Sequence, residues 1–190
     1  MPDKAFDLAI VDPPYGIGNW VQITGDLRRD AKGVDWNEES HRPKPEYFIE
    51  LRRVSKERII WGANYYNCFE ENMGAIIWNK KNPNPKFSQA EIGSYSAHKR
   101  VAMIDMAYYG FVGEEKCFHP CAKPINLYRW LLKNYAKPGD KILDTHLGSG
   151  SIAIACYDMG FDLTGFEIDK DYFDAAVKRL DNHKKQLTFI

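Results

Sequence analysis

The sequence predicts an α/β protein built on a mostly parallel mixed sheet with helices on both faces. Three observations predict it. From Lys141 to Leu180, short apolar strands and helices alternate in quick succession, as parallel strands joined by crossover helices do. Leu8-Ala9-Ile10-Val11 is an unbroken apolar run, as expected of a strand covered on both sides. The glycine-rich turn Gly148-Ser149-Gly150 links a buried strand to a helix, the usual place for a ligand in such sheets.

The elements follow in order. After the first strand, residues 16–42 are polar and aperiodic, a long loop above the sheet. Pro45 to Val54 reads as a helix burying Tyr47, Phe48, Leu51 and Val54. Ile59-Ile60-Trp61 and Ala75-Ile76-Ile77-Trp78 read as strands, and Ile92 to Tyr109 as a hairpin-like stretch. Pro124 suits the first position of a helix with Ile125, Tyr128, Leu131, Leu132 and Tyr135 on its apolar stripe, and Lys137-Pro138-Gly139 stops it. Lys141-Ile142-Leu143 is a strand, followed by a small-residue helix through Ile154 and Cys156 to a capping Gly160. Leu163 to Phe166 is the next strand. Asp169 caps a last helix with Phe173, Ala176, Val177 and Leu180 on the buried face.

At 190 residues the chain fits one domain, 1–190, with 79–117 as the one stretch where a small target-recognition insertion fits. Lys+Arg and Asp+Glu number 26 each, so a general basic coat for nucleic acid is excluded and any such site must be a local patch. No apolar run approaches the roughly 20 residues of a membrane span. The N-terminus lacks a signal-peptide pattern, and four Cys do not make a disulfide scaffold, so a cytoplasmic protein is expected.

Two motifs carry chemistry. In Leu143-Asp144-Thr145-His146-Leu147-Gly148-Ser149-Gly150 the glycines allow close backbone approach and the helix start offers free N–H donors. Glu167, at the end of the next strand, suits ribose hydroxyls of a nucleotide-like ligand. This turn alone is equally compatible with a nicotinamide oxidoreductase or a tight structural turn. Asp12-Pro13-Pro14-Tyr15 follows the first strand. Its carboxylate and the Pro13 carbonyl can accept hydrogens from one amino group, while Tyr15 offers a stacking face. Both motifs stand past the carboxyl ends of strands and so face one crevice. An oxidoreductase explains one of them; an amino methyltransferase explains both.

Leu8–Gly16, His119–Pro124, Leu143–Gly150 and Gly165–Asp169 together resemble the S-adenosylmethionine-dependent DNA amino-methyltransferases, in the permuted group whose catalytic tetrapeptide precedes the cofactor motif. The resemblance implies a Rossmann-like methyltransferase fold and S-adenosylmethionine as cofactor. It implies catalysis at Asp12, Pro13, Pro14 and Tyr15, and cofactor contacts at Asp12, Lys123, Asp144, His146, Gly148, Ser149, Gly150, Glu167 and Ile168. The substrate implied is double-stranded DNA with the target base flipped, methylated on adenine N6. Cytosine N4, or a non-catalytic recognition subunit, is the alternative. A homodimer, a cognate restriction nuclease and a phage context are compatible partners. Asp144-Thr145-His146 departs from the family's usual Asp-Pro-Phe, and the chain begins after the strand and Gly-Asp pair that usually precede the tetrapeptide, as a short or truncated form would.

Lys80, Lys81 and Lys86 head the one basic stretch, in which Glu91 is the only acid, and are expected to meet DNA phosphates. Tyr65 and Tyr66 are candidate stacking residues. Cys117, His119 and Cys121 lack a fourth ligand, so no metal is expected.

Overall fold

The computed structural model describes residues 1–17, 41–69, 73–82, 88–107, 119 and 121–187. Most of the 16–42 loop, Lys86, Cys117 and Pro120 therefore lie outside the described residues. Among the described residues, seven strands form one sheet: β1 (Phe6–Val11), β2 (Ser55–Trp61), β3 (Gly74–Asn79), β4 (Ala90–Tyr95), β5 (Val101–Asp105), β6 (Lys141–Asp144) and β7 (Asp162–Gly165). Their order is β5-β3-β4-β2-β1-β6-β7. All run parallel except β4, which is antiparallel to β2 and β3. The helices are α1 (Pro45–Val54), α2 (Ala63–Tyr66), α3 (Ile125–Tyr135), α4 (Ser151–Met159) and α5 (Lys170–Leu187). Among the described residues no helix is long and apolar enough to cross a membrane.

Alternation along β1 explains why its run is wholly apolar. Leu8 and Ile10 join Leu127, Leu131, Leu132, Ile152 and Ala155 of α3 and α4 on one face, while Ala9 and Val11 join Leu51, Val54 and Tyr66 on the other. The predicted α/β sheet with helices on both faces is what forms.

Three local expectations change. The stretch from Ile92 to Tyr109 is not a hairpin: β4 and β5 do not pair, because β3 lies between them and bonds to both. Pro124 is the cap residue rather than the first helical residue of α3, and Leu127 joins the buried stripe. On α5 only Ala176 of the predicted face is buried; Phe173 and Val177 are 41% exposed. The stripe is real, but among the described residues nothing covers its outer half.

A candidate active site at the carboxyl edge of the sheet

Parallel pairing of β1, β2, β6 and β7 brings their carboxyl ends to one edge, and with them Asp12, Gly62, Asp144 and Glu167. Antiparallel β4 reaches that edge with its start, pairing Glu91 opposite Trp78.

Four charged groups and a phenol meet there. The Lys123 ammonium, buried just ahead of α3, ion-pairs with Asp12 Oδ2 and lies 3.1 Å from Glu91 Oε2. The other oxygen of Glu91 pairs with Lys80. The Tyr15 hydroxyl lies 2.9 Å from Asp12 Oδ1, 3.1 Å from Glu91 Oε2 and 3.4 Å from Lys123 Nζ. Tyr66 donates to the Pro13 carbonyl, and Tyr65 stacks on Tyr15 with ring centroids 5.0 Å apart.

Burial sets the charges. It works against the Lys123 ammonium, but Asp12 and Glu91 outweigh it and raise the pKa. It also works against Glu91, but Lys123 and Lys80 outweigh it and hold the carboxyl near 2. Asp12 is pushed up by burial, Lys123 opposing only in part and the Glu91 charge adding to the shift. One acid is thus firmly ionised and its neighbour is the more basic carboxylate.

Gly62 makes room for this arrangement. Its φ is +71°, and a Cβ there would run into the Tyr15 ring.

The glycine turn stands at the same edge, just past the end of β6. Glu167 ties two loops together, accepting from the Gly148 N–H at 2.8 Å and the Asp169 N–H at 3.0 Å. A carboxylate has about four lone-pair sites, so acceptor capacity remains for hydroxyls of a ligand. Beside it Ile168 is 90% exposed and Phe166 41%, an apolar surface suited to the face of a flat ring. Asp144 is buried, accepts from the His146 N–H at 3.0 Å, and is pushed up by burial to about 7. Ser149 is buried, with its hydroxyl 3.0 Å from that of Ser151. The residues present fit a nucleoside ligand bearing a charged tail.

The remaining predicted residues fall as follows. His146 packs edge-on against Tyr47, with Nδ1 3.0 Å from the Thr145 hydroxyl, and burial lowers its pKa to about 4. The ring is neutral at pH 7 and belongs to the wall of the turn. Lys80 pairs with Glu91 and lies over the Trp78 ring. Lys81 is 51% exposed and pairs with Asp105. His119 packs against Gly148 and the Tyr172 ring. Sequence reasoning missed Glu91, since a lone acid among lysines reads as charge balance, and also Gly62.

A family model described as DNA methylase, covering N6 and N4 methylation, matches residues 6–178. Among curated relatives, the type II methyltransferase M.HpaI of Haemophilus parainfluenzae is 21% identical over 96% of this chain and 70% of its own length. The DNA adenine methyltransferase YhdJ of Escherichia coli is 25% identical over 95% of this chain and 78% of its own. Among solved structures, the M1.HpyAVI–SAM complex aligns with TM-score 0.58 at 22% identity, covering 92% of this chain and 89% of that one. The cytosine-N4-specific PvuII DNA methyltransferase aligns with TM-score 0.60 at 10% identity, covering 98% of this chain and 86% of that one. The match over nearly the whole chain means that this protein belongs to the N6/N4 DNA methylase family.

Proposed function

We propose that the chain transfers a methyl group from S-adenosylmethionine to the N6 amino group of adenine in double-stranded DNA. The observation that carries the reading is the placing of Asp12, bonded to Tyr15, and of the Pro13 carbonyl, bonded to Tyr66, at the same carboxyl edge of the sheet as the Gly148–Gly150 turn and Glu167. When bound, S-adenosylmethionine supplies an electrophilic methyl group on a sulfonium. In this reading Glu167 holds the ribose hydroxyls, Ile168 and Phe166 cover the adenine, and Asp144, Ser149 and Lys123 surround the charged tail.

The target base must leave the duplex stack, which costs a few kcal/mol. Tyr15 then stacks on the extruded ring, with Tyr65 behind it. The amino lone pair is delocalised into that ring and is a poor nucleophile. Asp12 and the Pro13 carbonyl each accept one amino hydrogen, favouring a pyramidal nitrogen whose lone pair points across the crevice. Asp12, the more basic of the two acids, is the nearest acceptor for the proton the nitrogen sheds. Most of the acceleration comes from positioning. No thiol takes part, and burial pushes the Cys156 thiol up to about 12, far from a useful thiolate.

Adenine is favoured over cytosine N4 by the aspartate that leads the tetrapeptide, and by the similarity to an adenine-methylating relative. The test is incubation with labelled S-adenosylmethionine and mixed DNA, followed by digestion and nucleoside analysis. N6-methyladenine is the expected product. N4-methylcytosine alone would overturn the substrate and spare the mechanism.

A further inference from the structure

Both oxygens of Asp12 already carry a partner. Oδ1 takes the Tyr15 hydroxyl at 2.9 Å, and Oδ2 pairs with the Lys123 ammonium. In the reaction proposed above, the same carboxylate must accept a hydrogen of the target amino group. Each of its present partners has a second destination, and it is the same atom. Glu91 Oε2 lies 3.1 Å from the Tyr15 hydroxyl and 3.1 Å from Lys123 Nζ. The Tyr15 hydroxyl has one proton and donates to one carboxylate at a time.

We infer that Glu91 is a positioning residue for methyl transfer: it draws the Tyr15 hydroxyl and the Lys123 ammonium off Asp12, freeing that carboxylate for the amino group. The inference rests on Asp12 being the acceptor of the amino hydrogen. Glu91 is well held for the task. It sits at the start of β4, in register with Trp78 of β3, and its far oxygen is pinned by Lys80. With two ammonium groups on one carboxylate, it stays ionised while its neighbour Asp12 exchanges partners. Lys80 thereby acquires a role inside the crevice, as the counterion that keeps Glu91 charged and in place.

The test compares Glu91→Gln, Glu91→Asp and Asp12→Ala in methyl-transfer kinetics, with S-adenosylmethionine binding measured by calorimetry. Glu91→Gln keeps size and one acceptor oxygen but removes the charge. Its kcat should fall at least about tenfold while cofactor affinity stays within about threefold. The acid limb of its kcat profile should move to lower pH, because Asp12 loses a neighbouring negative charge and becomes the sole carboxylate on Lys123. Glu91→Asp, which restores the charge, should return the acid limb toward its original position. An inactive Asp12→Ala together with an unchanged kcat and acid limb in Glu91→Gln would overturn the inference alone. A lowered kcat with an unmoved acid limb, or with a matching loss of cofactor affinity, would make Glu91 a scaffold residue and overturn it too. An active Asp12→Ala would instead bring down the underlying reading.

Discussion

In the proposed reaction Asp12 is the residue on which the chemistry turns. Asp12→Ala should abolish methyl transfer while leaving a folded protein, and substantial methylated base from that variant would refute the role. Gly62 makes a less direct demand. Gly62→Ala places a side chain in a left-handed backbone region, costing roughly 1–2 kcal/mol, and drives it against the Tyr15 ring. Rates should fall while cofactor affinity, measured by calorimetry, holds, because the proposal puts the displaced ring against the target base and not the cofactor. Asp144 gives a pH signature. Burial raises its folded-state pKa from 3.8 to about 7, so folding favours the protonated acid. The stability it contributes is present below about pH 4 and is lost as pH rises toward about 7, up to roughly 4 kcal/mol. Asp144→Asn should remove that decline, so that melting curves of the two proteins converge at acid pH and separate near neutrality. Parallel curves would contradict the buried, ionisable Asp144. At this scale the placement of the tetrapeptide, Asp144 and Glu167 at one sheet edge is legible in the sequence because its signals are local: strand end, turn residue types and spacing. Glu91 was not, because its partners Tyr15 and Lys123 are distant in sequence and only β4 pairing brings them together.

The elements differ in the same way. Periodicity found α1 with its observed ends and found α4 and its capping Gly160, since those signals repeat within one segment. It misread β4 and β5, because whether two successive strands pair or admit a third between them is decided by packing across the whole sheet. It also buried Phe173 and Val177, because an apolar stripe says which way a helix faces and not how much of that face finds a partner. The two loops that follow β6 and β7 form one unit, tied by Glu167 through Gly148 N–H and Asp169 N–H. Arg179 of α5 adds a second tie, donating to the Ser149 carbonyl at 2.9 Å. Glu167→Ala removes both the proposed ribose acceptor and the link between loops. Charge-assisted hydrogen bonds of this kind contribute about 1.5–3 kcal/mol, so S-adenosylmethionine affinity should drop at least about tenfold by titration calorimetry. Unchanged affinity in a folded variant would remove Glu167 from the cofactor site.

At the scale of the whole molecule, the proposed reading divides the sheet between two tasks. It gives the β1–β6–β7 side to the cofactor, while β2, β4 and β3 continue the same edge toward the proposed base end and the basic stretch. A net charge of zero leaves little long-range pull on DNA, so the proposed reading draws its phosphate contacts from a few exposed cations at this edge of the sheet. Lys80 and Lys81 are neighbours in sequence but not in surroundings. Lys80 is spent on Glu91, whereas Lys81, at a left-handed backbone position after β3, holds its ammonium half-exposed beside Asp105. An exposed pair of this kind is worth little and can be traded for a phosphate. Each phosphate contact on duplex DNA contributes about 0.9 to the slope of log affinity against log salt. Lys81→Ala should therefore weaken binding across all sequences and flatten that slope by about one contact's worth. Lys80→Ala should leave the slope nearly unchanged and lower the rate instead, because its charge is directed inward. If Lys80→Ala flattened the slope and Lys81→Ala did not, the strand edge would face DNA the other way round, with the Lys80 side of the crevice mouth against the phosphates.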